Sequence, residues 1–299
     1  MRKPFLLITC WFLWLSGFGQ DGQIVSKTPI SLNEISFWES LNEQDTLTGN
    51  YAHLTRLNFY QINYLSDQDT ITGYLIEPKG AGKHPVVIFN RGGNRTFAQL
   101  TIESLISFTA LLADQGYVII GSNYRKKDEF GGKEIKDVLN LFPVIGQLEN
   151  TDTSRMGMLG WSRGGLMTYL TLKHTDRIKT AIVGNGPSNM FQVIAERPEI
   201  ESRVLMECVP GYQENKTEEL TRRSPDMWAN KLSKNTSLLI LYGSQDKRVN
   251  PNQAKQIHST LTKIGYQSEL KGFETDHFFS DHRDELNQVM IDWFNEHLK

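Results

Sequence analysis

A serine bracketed by glycines, in Gly160-Trp161-Ser162-Arg163-Gly164-Gly165, constrains the fold of this chain more than any other stretch. Ahead of it, Arg155-Met156-Gly157-Met158-Leu159 reads as a short buried strand, and behind it Leu166 to Lys173 reads as a helix. Strand, tight turn with serine at the apex, then helix is the context of a nucleophile elbow. Such a turn puts Ser162 in a strained backbone conformation. It also needs glycine at positions 160 and 164, where side chains would collide with the neighbouring strand and helix. The helix N-terminus behind Ser162 offers free N–H groups and a positive dipole end to a developing oxyanion.

The 299 residues suffice for one large domain or two small ones, and 39% hydrophobic with 22% charged residues is ordinary for a globular protein. A net charge of −2, with no basic run longer than a few residues, gives no reason to expect nucleic acid or an anionic membrane as partner. Arg2 and Lys3, an apolar stretch from Phe5 to Leu15, and the small residues of Ser16-Gly17-Phe18-Gly19 have the layout of a signal peptide spanning residues 1–19. The alternative is an uncleaved anchor. Cleavage after Gly19 implies an exported protein, periplasmic or secreted, with no remaining membrane span. It would leave Cys208 as the one thiol, so neither an internal disulfide nor a cysteine metal site is expected.

Residues 20–53 are polar and weakly patterned and read as a lead-in segment lying against the fold; residues 54–299 read as one catalytic domain. Two strands flank the hairpin signal Ser66-Asp67-Gln68-Asp69. Pro85–Phe89, Val118–Ile120, the segment before Ser162, Thr180–Val183, Leu238–Tyr242 and Tyr266–Lys271 are further strand candidates. Between them fall helices at Leu100–Gln115, at Glu134–Leu148 with an interruption near Pro143, and at Gln253–Ile264. Asp284–Leu298 closes the chain as a helix. The alternation predicts an α/β fold: a mostly parallel sheet with an antiparallel N-terminal hairpin and helices on both faces. The long interval at about residues 187–235 reads as a small, partly helical lid.

A serine hydroxyl needs a base, and the base needs an acid to orient it. Elbow enzymes order these Ser, acid, His. Asp246 follows the strand Leu238–Tyr242 and His277 follows the last strand, so both reach the rim that carries Ser162. Asp276 is an alternative orienting acid, and His282 is the other histidine in loop context after Asp246. The bland readings are a helix N-cap for Ser162 and turn residues for Asp246 and the Gly92-Gly93 pair. Gly92-Gly93, after the strand Pro85–Phe89, stands where a second oxyanion donor belongs; the Arg163 N–H is the first. No metal-ligand spacing or phosphate loop is present, and no cofactor is expected. In the lid, Phe191, Tyr212 and Trp228 are candidate substrate-binding residues, as is Trp161 in the elbow.

With these residues in view, the chain resembles the α/β-hydrolases, and among them the catalytic domain of the prolyl oligopeptidase family of serine peptidases. The resemblance rests on Asn123-Tyr124-Arg125, Phe130-Gly131-Gly132-Lys133-Glu134 leading to Asp137-Val138, and Arg155 to Gly165. Ser224-Pro225, Gly243 to Val249, Asp276-His277-Phe278 and Trp293-Phe294 complete it. It implies Ser162 as nucleophile, Asp246 as acid and His277 as base. Where the family's peptidases often carry a tyrosine before the glycine pair, this chain has Arg91, which could donate to the oxyanion or bind a substrate carboxylate. The β-propeller of the large peptidases has no counterpart between the leader and the first strand. The expected function is therefore an exported serine hydrolase acting on peptides, with a carboxylesterase acting on small or glycan-linked esters as the alternative. A non-catalytic binding protein on the same scaffold is the reading from a different class.

Overall fold

The computed structural model of the protein describes residues 20–36, 38, 42–43, 46–47 and 49–299. The expected leader, residues 1–19 including Cys10, lies outside the described residues.

The apolar runs become the middle of one sheet. Its strands are β1 (Ile24–Ile30), β2 (Leu57–Ser66), β3 (Asp69–Pro78), β4 (His84–Asn90), β5 (Val118–Ser122), β6 (Thr151–Trp161), β7 (Thr180–Gly184), β8 (Ser237–Gly243) and β9 (Ser268–Phe273). Among the described residues these nine strands follow the order β1-β2-β3-β5-β4-β6-β7-β8-β9. β1, β2 and β3 pair antiparallel, as do β3 and β5, and every later neighbour is parallel. β5 and β7 are buried along their whole length, because helices cover both faces and leave no wet side for alternation to mark. The β2–β3 hairpin turns through Asp67 and Gln68, at φ 49° and 71°. That is the left-handed pair which matches the twist of two-residue hairpin turns.

The helices are α1 (Ile102–Asp114), α2 (Ile135–Leu139), α3 (Leu141–Gly146), α4 (Arg163–Leu172), α5 (Met190–Glu196), α6 (Lys216–Arg222), α7 (Pro251–Lys263) and α8 (Arg283–Leu298), with shorter helical turns between α5 and α6. α1 and α8 bring Leu105, Leu286 and Phe294 against Val87, Phe89 and Leu239 on one face. α3, α4 and α7 bring Leu141, Leu166 and Ile257 against Val86, Met158 and Val183 on the other. The chain is thus a mixed α/β sheet covered on both sides, as the pattern predicts.

Two local expectations are corrected. Part of the lead-in segment is β1, an edge strand; Lys27 and Pro29 stand exposed in it, and its inner positions Ile24, Ser26 and Ile30 are only half-buried. The helical stretch after Glu134 breaks at Asn140, not at Pro143. Pro143 sits in the first turn of α3, where its missing N–H breaks no intrahelical bond.

The carboxyl ends of β4, β6, β7, β8 and β9 share one rim, and the insertion between β7 and β8, carrying α5 and α6, stands over it. The elbow fits there only because of its glycines. A Cβ on Gly164 would run into the Asn90 carbonyl oxygen at the end of β4, and one on Gly160 into the Gly164 carbonyl and the Thr168 hydroxyl. Both obstacles include backbone, which cannot rotate away. Gly164→Ala is expected to cost about 1–3 kcal/mol in urea unfolding, the range for overpacking a tight interior; an unchanged midpoint and slope would contradict this packing.

Candidate active site

Ser162 links β6 to α4 with φ 58° and ψ −127°, outside the regions a non-glycine residue prefers. Such a conformation costs about 1–3 kcal/mol and persists only where surroundings enforce it. Here the Ser162 N–H donates to the Gly184 carbonyl at 2.8 Å, and the Ser162 carbonyl accepts from the Gly165 N–H at 2.8 Å. The serine is thereby pinned to β7 on one side and to its own helix on the other.

Asp246 and His277 arrive from the next two strand ends. Asp246 Oδ2 stands 2.7 Å from His277 Nδ1. Its Oδ1 accepts the N–H groups of Arg248 at 2.7 Å and Val249 at 3.0 Å, which fixes the carboxylate plane. Both side chains are buried. Asp276, the alternative acid, is turned to its own loop, accepting from Phe278 N–H, Ser280 N–H and the Ser280 hydroxyl. His282 heads α8 beside Asp281. Ser162 and His277 both line one cavity at the sheet rim.

The His277 loop is held by residues that sequence reasoning left out or read otherwise. The Asn185 amide donates to the His277 carbonyl at 2.9 Å, and its oxygen accepts from the Gly243 N–H at 3.0 Å. Trp161 Nε1 donates to the same His277 carbonyl at 3.0 Å. Asn185, at φ 47°, stitches the ends of β7 and β8 to the base loop. Its one trace in the sequence is a Gly-Asn-Gly step after an apolar run, too common to single out.

The loop after β4 lies against the serine: a Cβ on Gly92 would stand 3.4 Å from Ser162 Cβ. Among the described residues no hydrogen bond engages the Gly92 N–H, and the Arg163 N–H heads α4, where no intrahelical acceptor exists. Arg91 corrects an expectation. Its guanidinium has five N–H groups. These donate to the Gly92, Ala98 and Arg95 carbonyls and twice to that of Asn123, at 2.9–3.3 Å. No donor is left for an oxyanion or a substrate carboxylate, so Arg91 braces the loop and does not replace a donor side chain.

The side chain of Arg163 is buried too. It donates to the Gly93 carbonyl at 2.8 Å and meets Glu134 at 2.5 Å and Asp128 at 3.0 Å; its Nε alone lacks an acceptor. Burial opposes the Arg163 cation most strongly, but Glu134 and Asp128 outweigh it and hold its pKa above the usual value. Burial likewise opposes the Glu134 anion. Arg163 and the N–H groups of Gly131 and Glu129 overcome that and hold the carboxyl below its usual range.

The cavity beside Ser162 measures about 450 Å³. Its walls are Phe108, Phe130, Trp161, Met190, Val193 and Val204, and Phe97 and Phe278 (63% and 45% exposed) also line it. No Asp or Glu lines it. Of the four proposed substrate-binding residues, Trp161 alone does. Phe191 and Trp228 pack into the core, and Tyr212 is buried with its hydroxyl on Glu201 at 2.8 Å. In the lid the lining positions are Pro187, Met190, Val193, Arg197, Ile200 and Val204, mostly on short helices and none of them an aromatic. Among the described residues no group of His, Cys, Asp and Glu is placed to hold a metal ion, and no helix is long and apolar enough to cross a membrane.

The likeness to known proteins agrees with this architecture. The uncharacterized peptidase YtmA of Bacillus subtilis is 25% identical over 231 residues, covering 75% of this chain and 87% of its own length. The acylamino-acid-releasing enzyme of Rattus norvegicus is 22% identical over 237 residues, with 72% of this chain but 31% of its own length matched. In fold, the chain is similar to the acylaminoacyl peptidase of Pyrococcus horikoshii, at TM-score 0.71 and 23% identity over 82% of this chain and 42% of that one. This chain therefore spans most of one relative and less than half of the other two. The prolyl oligopeptidase family profile matches residues 104–299, taking in Ser162, Asp246 and His277, and on that match the chain belongs to the prolyl oligopeptidase family and is a serine hydrolase.

Proposed function

We propose that this protein is an exported serine peptidase that cleaves peptides through a Ser162–His277–Asp246 triad and an acyl-enzyme. The observation that carries the reading is the strained Ser162 facing the cavity shared with His277, whose other ring nitrogen lies 2.7 Å from Asp246. In the reaction His277 takes the Ser162 proton as the hydroxyl oxygen attacks the substrate carbonyl. Asp246 holds the imidazole in the required orientation and stabilises its cation. The carbonyl oxygen becomes an oxyanion between the N–H groups of Gly92 and Arg163, each worth about 3–4 kcal/mol in the transition state. The imidazolium then protonates the leaving amine, and water repeats the sequence in reverse to release the acid.

The cavity takes an apolar group of the substrate. With no carboxylate in its lining it offers no counter-charge to a free ammonium group. Relatives named for releasing acylated amino acids support an N-blocked peptide as substrate. The same apolar walls would hold the acyl part of an ester, which keeps a carboxylesterase as the second reading. Export is supported by the charged and apolar layout of residues 1–19.

Incubation with a fluorophosphonate probe is expected to label the wild type at Ser162 and to leave Ser162→Ala unlabelled; equal labelling of both removes the triad reading. Asp246→Asn is expected to lower kcat by about 10⁴-fold with KM little changed, because the imidazole loses its orienting acceptor. A matched panel of N-acyl aminoacyl anilides, unblocked anilides and aryl esters separates the two readings. Higher kcat/KM on blocked anilides supports the peptidase, and turnover of esters alone supports the esterase. N-terminal sequencing of the protein recovered outside the cytoplasm is expected to begin at Gln20; recovery with Met1 intact contradicts export by leader cleavage.

A further inference from the structure

The loop of residues 91–98 does not hold its shape by regular pairing. Gly93, Arg95 and Ala98 have φ of 68°, 42° and 51°, and a single bridge joins Asn94 to Phe97. Its carbonyls are instead taken by two buried cations: those of Gly92, Arg95 and Ala98 by Arg91, and that of Gly93 by Arg163. Both guanidiniums meet the ring of Tyr124, that of Arg91 at 4.8 Å and that of Arg163 at 5.4 Å. Its hydroxyl donates to the Arg91 carbonyl at 3.3 Å. That carbonyl and the Gly92 N–H belong to one planar trans peptide, so holding the first aims the second in the opposite direction. Asp128 secures the assembly from behind, meeting Arg163 and accepting from the Arg95 N–H at 2.6 Å. Burial pushes the Tyr124 pKa up, so the hydroxyl stays a donor through the working pH range.

We propose that Tyr124 and the Arg163 side chain are positioning residues of the oxyanion hole: Tyr124 holds the Arg91–Gly92 peptide and Arg163 the Gly93 carbonyl beyond it, so that the Gly92 N–H meets the oxyanion formed at Ser162. The proposal rests on the reading of Ser162 as nucleophile. Tyr124 is absent from the cavity lining, so it acts through the peptide and not on substrate. Arg163 then has two parts to play: its main-chain N–H is a donor, and its side chain fixes the loop carrying the other.

The test compares wild type, Tyr124→Phe, Arg163→Lys and Arg163→Met in kcat and KM for the best panel substrate. It also compares their affinity for a peptidyl trifluoromethyl ketone, whose adduct with the serine places an oxyanion in the hole. Tyr124→Phe is expected to lower kcat about 10-fold and Arg163→Met about 100-fold, since a displaced donor loses up to what a deleted one does. KM should stay within about threefold, because the loss falls on the transition state. Ketone affinity should fall in step with kcat/KM. Arg163→Lys should recover part of the loss, restoring the charge without the planar fork. Variants that keep kcat within about twofold of wild type, or lose kcat at unchanged ketone affinity, overturn the proposal. Should Arg163→Met fail to fold, Tyr124→Phe, which removes one oxygen, decides by the same criterion. A wild type that is not labelled at Ser162 refutes the nucleophile reading; a labelled wild type with unaffected variants refutes the clamp alone.

Discussion

The close approach of α4 to the end of β4 is the constraint on which the rest of the site depends. Gly164 has no side chain, so the first turn of α4 rests on the Asn90 carbonyl. That contact brings the Ser162 elbow and the Arg91-Gly92-Gly93 loop side by side, and the serine and both N–H donors become neighbours although they come from different strands. The unfavourable φ of Ser162 is the local cost, and the bonds from Ser162 N–H to Gly184 and from Gly165 N–H to the Ser162 carbonyl offset it. The site is thus set by backbone packing first and side chains second.

Electrostatics adds a second layer beneath that packing. Arg91 and Arg163 lie in the interior with Asp128 and Glu134, so the buried charges balance formally two against two. Buried ion pairs contribute little net stability compared with an apolar core, and they persist where geometry matters. Here they engage the carbonyls of a loop with few bonds of its own, and the aromatic rings of Tyr124 and Phe130 flank the Arg163 cation. The same arrangement explains how an arginine can stand beside the oxyanion site without entering it: each of its donors already has a carbonyl.

Much of the fold was legible because apolar runs and glycine turns are short-range signals. The elbow showed itself in Gly160, Gly164 and Gly165, the hairpin in Asp67-Gln68, and the rim in the strands that precede Asp246 and His277. β1 was hidden because the inner face of an edge strand is only half-buried, so polar residues such as Ser26 and Thr28 can stand there and blur the apolar period. The helix break at Asn140 was hidden because proline draws attention yet is harmless in a first turn. The lining of the cavity was misjudged for a related reason: Phe191, Tyr212 and Trp228 are large, and in a short helical lid large aromatics complete the core, leaving Met190, Val193 and Val204 to face the cavity. Tyr124 stood within the Asn123-Tyr124-Arg125 motif, but its role, like those of Asp128 and Asn185, runs through backbone carbonyls and N–H groups that a residue pattern does not show.

The central claim is that the Gly92 and Arg163 N–H groups face an oxyanion on Ser162. A crystal structure of the phosphonylated protein measures this directly. The account predicts phosphorus bonded to Ser162 Oγ with one phosphonyl oxygen at about 2.7–3.1 Å from both nitrogens, and the Arg91 guanidinium still on its four carbonyls. An adduct on another residue, or a phosphonyl oxygen turned away from the two nitrogens and met by the Arg91 guanidinium, would contradict it.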